Sequence, residues 1–191
     1  MFSERIQSVI DRVDRLRAQV DDHWQIPADE ALVLAQLVSI GRCVSICEIG
    51  TSYGFSTLHL AAATPRHEGH VHTIDLDPKK VAAASQNLRD AGLDEFVTMH
   101  QGDARQLLAS IQPRTPFDLV FIDATKEQSD AYLDAILPKL APRCILVTDN
   151  TTTHAQELAT FVKRLRSLPG FTSCAVTVGN GFELSVRIPP S

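Results

Sequence analysis

Short apolar segments alternate with helix-like stretches through most of the chain, and this alternation limits the fold more than any other feature. The apolar segments are residues 44–49, 71–74, 96–100, 117–122 and 144–147, each bounded by turn-forming residues. Neighbouring parallel strands need a crossover long enough to hold a helix, so strands that alternate with helices predict a parallel sheet. We therefore predict an α/β fold with helices on both faces of the sheet.

The end of the chain breaks this alternation. The predicted helices between the strands cover residues 55–63, 78–91, 104–111, 127–140 and 155–168, and Pro78 suits a first helical turn. Two further strand-like segments, residues 171–178 and 182–188, are separated only by Gly179-Asn180-Gly181. A short glycine-containing connection is typical of a hairpin, so the last strand is predicted to run antiparallel to the rest.

The first 42 residues are predicted to be helical. Apolar side chains recur at helical spacing near the N-terminus, and a second helix is expected from about Pro27 to Arg42. The first pattern consists of Ile6, Val9, Ile10, Val13, Leu16 and Val20. We expect residues 1–42 to cover the core or the active site, with pairing to a second subunit as the alternative. Without repeats or linkers, residues 1–191 are interpreted as a single domain.

Composition favours a small-molecule partner. The chain has 191 residues, 18 basic and 23 acidic side chains and a net charge of -5, so it lacks the cationic field that binds nucleic acid or anionic lipid. Neither a signal-peptide pattern nor an apolar run of about 18 residues is present, so no membrane association and a cytoplasmic location are expected.

The cysteines and two neighbouring histidines give weaker signals. The four cysteines lack C-x-x-C or zinc-ligand spacing and are interpreted as buried free thiols; they are Cys43, Cys47, Cys144 and Cys174. His70 and His72 share one face of a predicted strand. A metal pair would need a third ligand that the sequence does not place beside them, so surface histidines are the preferred interpretation.

An acidic residue stands directly before a glycine turn, at the end of the first predicted strand. The segment reads Ile46-Cys47-Glu48-Ile49-Gly50-Thr51-Ser52-Tyr53-Gly54-Phe55-Ser56. A strand, a tight turn and a helix N-terminus form a nucleotide cradle, but Glu48 would repel a pyrophosphate and attract a cationic ligand such as S-adenosylmethionine. The glycine spacing also differs from the G-x-G-x-x-G pattern of dinucleotide binders.

Acidic residues follow the second and third predicted strands as well. Asp75 lies at about the distance along the chain at which a carboxylate meets ribose hydroxyls in nucleotide-binding folds. Asp103 and Ala104 are expected near the adenine, where the carboxylate can accept from the exocyclic amine and the amide can donate to the ring. A capping role for Asp103 on the next helix is equally compatible with the sequence.

Hard oxygen ligands follow the fourth and fifth predicted strands. Asp123, Asp149 and Asn150 provide two carboxylates and an amide, a donor set that suits Mg²⁺. A substrate with neighbouring hydroxyls could complete the coordination of the cation. Lys126 could then accept the hydroxyl proton or stabilise the resulting oxyanion. A solvated lysine at a helix start is the alternative, although the helix dipole disfavours a cation there.

Together these motifs resemble the catechol and caffeoyl-CoA type of S-adenosylmethionine-dependent O-methyltransferase. The resemblance covers about residues 27–188 and rests on four motifs: Glu48-Ile49-Gly50-Thr51 with Gly54-Phe55-Ser56-Thr57, Phe121-Ile122-Asp123-Ala124-Thr125-Lys126, Asp149-Asn150, and Gly179-Asn180-Gly181-Phe182-Glu183-Leu184-Ser185. It implies a Rossmann-like class I methyltransferase fold with a seven-stranded sheet, and often a homodimer.

The resemblance also implies roles for individual residues. Lys126 would be the catalytic base, and Asp123, Asp149 and Asn150 would hold a divalent cation, Mg²⁺ or another. The cofactor site would be formed by Glu48, Gly50, Thr51, Ser56, Asp75, Asp103, Ala104 and Asp123. The expected acceptor is a small aromatic vicinal diol.

One departure from the family leaves the acceptor open. The family usually carries a substrate-covering insertion after the D-N motif, whereas here residues 151–154 lead almost directly into the next predicted helix. The acceptor pocket is therefore expected to be more open, or completed by the N-terminal helix or a second subunit. His154 could reach its mouth, although an exposed position is preferred.

Other functions remain compatible with parts of the pattern. A metal-independent small-molecule methyltransferase, a nicotinamide-dependent oxidoreductase and a noncatalytic cofactor-binding protein are the alternatives. A nucleic-acid methyltransferase is disfavoured because Asp123-Ala124-Thr125-Lys126 stands where an N-P-P-Y-like run would be expected.

Overall fold

A seven-stranded sheet forms the centre of the protein, in the strand order β3-β2-β1-β4-β5-β7-β6. The computed structural model describes residues 2–17, 19, 22, 24–65 and 68–188. The strands are β1 (Ser45–Ile49), β2 (His70–Asp75), β3 (Val97–Gln101), β4 (Phe117–Ile122), β5 (Leu140–Thr148), β6 (Phe171–Val176) and β7 (Phe182–Arg187). The first five pair in parallel, as the alternation of apolar and helix-like segments predicts.

Seven α-helices within the described residues cover the two faces of the sheet. They are α1 (Glu4–Leu16), α2 (Ala28–Gly41), α3 (Phe55–Ala63), α4 (Pro78–Ala91), α5 (Ala104–Ser110), α6 (Ser129–Ile136) and α7 (Ala155–Arg166). One face packs against α1 to α4 and the other against α5 to α7. The predicted α/β fold with helices on both faces is confirmed.

The core consists of two layers because successive residues of a strand point to opposite faces. In β1, Ile46 belongs to the cluster beneath α1 to α4, whereas Cys47 and Ile49 belong to the cluster beneath α5 to α7. All five residues of β1 are buried, as expected of a central parallel strand. This strand therefore provides a rigid base for the turn that follows it.

The C-terminal hairpin is also confirmed. Strand β7 runs antiparallel to both β5 and β6, and the turn between β6 and β7 contains Gly179 and Gly181 with positive φ angles of 58° and 76°. The turn reaches the same edge of the sheet as the residues that follow β5, because Thr151 N donates to Gly181 O at 2.8 Å. It therefore belongs to the surroundings of the predicted site.

The N-terminal helices pack on the sheet-covering helices. Helix α1 contacts α3 and α4, and its buried apolar residues are Ile6, Val9, Ile10 and Val13. Arg5 and Arg12 fix its outer side on α4 through the backbone and the carboxylate of Asp90. Helix α1 ends at Leu16, and Val20 of the predicted pattern lies outside the described residues. No helix among the described residues is both long and apolar enough to cross a bilayer.

One expectation about the cysteines is wrong. Cys43, Cys47 and Cys144 are buried, but Cys174 is exposed because β6 is the edge strand of the sheet. His70 and His72 are partly exposed, and the ring of His72 contacts Phe117 of β4. His72 Nδ1 lies 3.1 Å from Nε2 of a third histidine, His100 of β3, which the sequence did not place beside it.

Candidate active site

The ends of β1, β2, β4 and β5 surround a cavity of 830 Å³. It lies where the sheet order reverses direction, with β1 pairing with β2 on one side and β4 on the other. Ligands of open α/β sheets bind at such a point. Eight of the predicted site residues line it: Gly50, Thr51, Ser56, Asp75, Asp123, Lys126, Asp149 and Asn150.

The glycine turn after β1 touches the end of β4. Gly50 has a φ of 102°, and a Cβ atom at this position would lie 1.9 Å from Asp123 O. Asp75 fixes the turn from the other side, because its Oδ2 accepts hydrogen bonds from Thr51 N at 3.1 Å and Ser52 N at 2.7 Å. The turn is therefore held in a conformation that only glycine can adopt here.

Glu48 is fully buried beneath the turn and is not one of the residues that line the cavity. Thr57 Oγ1 and Thr73 Oγ1 donate to its Oε2 at 2.5 and 2.6 Å. Its Oε1 has no hydrogen-bond partner among the described residues. Burial raises the pKa of Glu48 to about 7, although the nearby hydroxyl groups of Ser56, Thr57 and Thr73 lower it. Glu48 thus carries an unsatisfied acceptor directly under the turn.

Asp103 and Ala104 are not brought to the cavity. They follow β3, which is the edge strand, and neither residue lines the cavity. Asp103 Oδ1 accepts from Arg105 N at 2.9 Å, and its carboxylate pairs with the Arg105 guanidinium. The capping role, which the sequence allowed beside an adenine contact, is the role that the structure shows.

Lys126 and two carboxylates face one another across the ends of β4 and β5. Lys126 Nζ donates to Asp123 Oδ1 at 3.2 Å, from a short 3₁₀ turn (Lys126–Gln128) directly after β4. Burial, and next the charge of Asp149, raise the pKa of Asp123 to about 6. Asn150 completes the group with a left-handed backbone conformation, φ 65°.

Asp149 is the most unusual member of this group. It is only 1% exposed, yet neither of its carboxylate oxygens has a hydrogen-bond partner among the described residues. Desolvation by burial raises its pKa, and the neighbouring carboxyl group of Glu30 raises it further. An uncompensated buried carboxylate lowers the free energy of unfolding, so a bound cation or a proton would stabilise this site.

The donor set fits a hard divalent cation. Two carboxylates and the Asn150 amide supply oxygen ligands, and the remaining coordination positions of Mg²⁺ are commonly filled by water or substrate. Within residues 2–17, 19, 22, 24–65 and 68–188, no group of three or more histidine, cysteine, aspartate or glutamate side chains is arranged to hold a metal. A cation here would therefore depend on these three protein groups and on outer ligands.

Comparison with known proteins identifies the family. A family model described as "Methyltransferase domain" matches residues 47–151, which include the glycine turn, the Asp123 to Lys126 segment and Asp149-Asn150. The chain belongs to this methyltransferase family.

The relatives of this chain include two catechol O-methyltransferases. The protein from Niastella koreensis is 32% identical over 127 residues, covering 65% of this chain and 57% of its own length. The protein from Mycobacterium tuberculosis is 36% identical over 126 residues, covering 65% of this chain and 56% of its own length. The chain thus spans little more than half the length of these curated relatives.

A solved structure extends the likeness to nearly the whole chain. The O-methyltransferase from Bacillus cereus, solved in complex with SAH, is 28% identical with a TM-score of 0.84, covering 94% of this chain and 90% of that chain. The predicted class I methyltransferase fold and the predicted resemblance to catechol O-methyltransferases are both confirmed.

Several residues that line this cavity were not predicted from the sequence. Trp24, Gln25 and Ile26 line one wall before α2, and Lys80 of α4, Glu157 of α7 and Asn180 of the hairpin turn complete it. His154 also lines the cavity and is half-buried, contrary to the preferred exposed position. Trp24, Gln25, Ile26, Lys80 and Glu157 come from segments with no motif of their own, and Asn180 was predicted only as part of a hairpin turn, so the tertiary structure is needed to bring them together.

Glu30 is a further residue that the sequence analysis did not single out. It was interpreted as part of a helix start, but it is fully buried beside Asp149. One signal could have found it: Glu30 lies on the apolar face of α2, in helical register with the buried residues Leu34 and Val38. A carboxylate on a buried helical face is unusual without a partner.

Proposed function

We propose that the protein is an S-adenosylmethionine-dependent O-methyltransferase that needs a divalent cation and methylates a hydroxyl of a small catechol-like aromatic acceptor. One observation carries this proposal. Asp123, Lys126, Asp149 and Asn150 lie in the same cavity as the glycine turn, and Asp149 has two buried oxygens without a partner. Methyl-donor and acceptor chemistry would therefore share one cavity.

The turn after β1 would bind the methyl donor. Its backbone is fixed by Asp75, whose remaining lone pairs face a cavity in which ribose hydroxyls could donate to them. The unpartnered Oε1 of Glu48 supplies negative charge beneath the turn, which favours a cationic ligand over a pyrophosphate. The SAH complex of the Bacillus cereus relative supports a ligand of this class.

Asp123, Asp149 and Asn150 would hold the cation, and Lys126 would handle the acceptor proton. A divalent cation at these residues would lower the pKa of a coordinated hydroxyl and orient it. Lys126 Nζ lies 3.2 Å from Asp123 Oδ1, and in its neutral form it would accept that proton. As the ammonium it would instead stabilise the oxyanion that remains. The surrounding buried residues limit water, which favours transfer between opposite charges.

The acceptor side of the cavity is open and aromatic. Residues 151–154 form only a short turn before α7, so they cover little of the cavity. Trp24 is 77% exposed on the cavity wall, with Lys80 Nζ 5.3 Å from its ring centroid. An exposed tryptophan offers a stacking surface for a planar acceptor. This wall supports an aromatic substrate.

Methyl transfer should be measured with matched vicinal diols and monohydroxyl phenols, in Mg²⁺ and after complete chelation. We expect diols to be methylated and the rate to fall at least 100-fold without the cation. Lys126→Ala should lower kcat by about 10² to 10⁴, the range typical of a lost general base. Lys79→Ala, an exposed lysine at the start of α4, is the control and should retain full activity.

Two results would contradict the proposal. Equal turnover of diols after chelation would favour a metal-independent methyltransferase. Unchanged activity of Lys126→Ala would remove the role of Lys126 in proton transfer while leaving the donor site in place.

A further inference from the structure

Glu30 is a buried acidic residue for which the proposed methyl transfer has no role. Its side chain is 0% exposed in the first turn of α2, and its Oε1 has no hydrogen-bond partner among the described residues. Burial raises its pKa, and the backbone hydrogen bond from Asn180 only partly opposes this. A carboxylate in this position is costly for the fold, so a compensating function is expected.

The other carboxylate oxygen of Glu30 holds the hairpin turn. Oε2 accepts a hydrogen bond from Asn180 N at 3.1 Å. The approach is close, since a Cβ atom on Gly179 would lie 2.5 Å from the same oxygen. Glu30 therefore connects the start of α2 to the turn between β6 and β7.

The turn between β6 and β7 also holds the segment that follows the predicted cation ligands. Asn180 O accepts hydrogen bonds from Thr152 N at 3.2 Å and Thr153 N at 3.3 Å. These threonines are the second and third residues after Asn150, whose backbone adopts the left-handed conformation. The backbone that follows Asn150 is thus held by a chain of contacts that starts at Glu30.

Glu30 also lies against Asp149 itself. After burial, the neighbouring carboxyl group of Glu30 is the next cause that raises the pKa of Asp149. Together they present three buried oxygens without a partner: Glu30 Oε1 and both oxygens of Asp149. Two like charges in such surroundings repel, and a divalent cation bound to one of them would turn that repulsion into attraction.

On the basis of the proposed function, we infer that Glu30 is a positioning residue of the cation site. It acts on the cation through Asp149, by adding negative charge behind it, and through Asn180, by fixing the segment after Asn150. It is not itself a ligand, because Glu30, Asp123 and Asp149 are not arranged as a group that could hold a metal. Outer carboxylates of this kind typically change metal affinity 10- to 100-fold.

Glu30→Gln separates this role from a merely structural one. The glutamine oxygen can still accept from Asn180 N, and its NH₂ group can donate to the unpartnered oxygens of Asp149. The variant should therefore be at least as stable as the wild type in the absence of metal. Its affinity for a cation should nevertheless fall, because a negative charge next to Asp149 has been removed.

The test is a titration of the protein with Mn²⁺ alone, followed by electron paramagnetic resonance without methyl donor or acceptor. Glu30→Gln should bind Mn²⁺ 10- to 100-fold more weakly, while its thermal midpoint without metal does not decrease. Glu30→Asp, which keeps the charge, should recover part of the affinity. Asp29→Asn removes the same charge from the neighbouring exposed residue and should bind as the wild type does.

Asp123→Asn and Asp149→Asn separate the inference from the function on which it rests. If Glu30→Gln binds Mn²⁺ with wild-type affinity while Asp123→Asn and Asp149→Asn bind it more weakly, the inferred role of Glu30 is wrong and the proposed cation site stands. If Asp123→Asn and Asp149→Asn also bind normally, the cation site and the proposed function both fail. Glu30→Gln could also lose both Mn²⁺ affinity and thermal stability, with no recovery of affinity in Glu30→Asp. This result would show that the role of Glu30 is structural, and it would overturn the inference.

Discussion

Gly50 is the residue at which the backbone of the site tolerates the least change. Its φ of 102° is unfavourable for any side chain, and a Cβ atom would lie 1.9 Å from Asp123 O. Gly50→Ala should therefore displace the end of β4 and lower the free energy of unfolding by roughly 3 kcal/mol or more. Thermal unfolding should show a decrease of the midpoint by roughly 10 °C.

Gly170→Ala is the matched control for this substitution. Gly170 also has a positive φ, 78°, but a Cβ atom there would meet nothing within 4 Å. It should cost only about 1 kcal/mol, the price of the backbone conformation alone. Equal destabilisation of the two variants would show that the contact with Asp123 is unimportant.

The sequence predicted individual site residues well where a motif fixed their chemistry. Asp123, Lys126, Asp149 and Asn150 were expected to lie together, and they line one cavity. Glu30 was not found, because nothing in its local sequence shows that α2 places it against Asp149. Residues whose function depends on distant contacts need the tertiary structure.

At the scale of single elements, β2 and β3 carry a half-buried histidine cluster that should make stability depend on pH. Desolvation, and then the charges of His70 and His100, lower the pKa of His72 to about 4. Thr98 also lies on this face and Phe117 contacts the His72 ring, but neither residue carries a compensating charge. Protonation is therefore easier in the unfolded chain, where the pKa of histidine is about 6.5.

The sign of the effect follows from this difference. The contribution of neutral His72 is fully present above pH 6.5, and it is lost as the pH falls from about 6.5 towards 4. His72→Phe should remove part of this loss, so its thermal midpoint should decrease less than that of the wild type between pH 7.5 and pH 5. The difference between the two thermal midpoints at pH 7.5 measures the effect of the changed packing, and it is subtracted from the difference at pH 5. Parallel pH profiles of the two proteins would contradict the prediction.

Element boundaries were predicted less well than element types. The helix expected over residues 127–140 is divided into a 3₁₀ turn, α6 and a second 3₁₀ turn (Leu137–Lys139). Helix α6 ends before Pro138 because proline cannot continue an α-helix. Strand β5 begins at Leu140, before the predicted residue 144. Pro142 disfavours a regular strand there, and the pairing with β4 shifts register between Phe117 and Leu119.

At the scale of the molecule, the alternation predicted the fold class but not the order of the strands. Local sequence does not state which strands become neighbours. The observed order places β1 beside β4 and leaves β3 at the edge, and residues after β4 and β5 line the cavity whereas Asp103 and Ala104 do not. The alternation of strands and helices alone could not predict this difference, because it does not give the neighbours of each strand.

The same arrangement leaves an apolar surface on the face that carries α2. Ile40 is 80% exposed and Leu32 is 50% exposed, and α2 contains no charged side chain after Glu30. On the same face of the sheet, Leu184 and Val186 of β7 are only partly buried. A surface with little charge favours neither nucleic acid nor a charged membrane, and self-association would bury it.

We therefore expect a homodimer that associates through the exposed side of α2. Light scattering coupled to size exclusion should give twice the 21.0 kDa chain mass for the wild type. Ile40→Glu with Leu32→Glu should shift the protein to the monomer, because two buried like charges per subunit would oppose association. Leu76→Glu changes another exposed apolar residue, 72% exposed after β2, and should leave the dimer intact. A monomeric wild type would exclude the dimer. A doubly substituted protein that still dimerises would place the contact between subunits elsewhere.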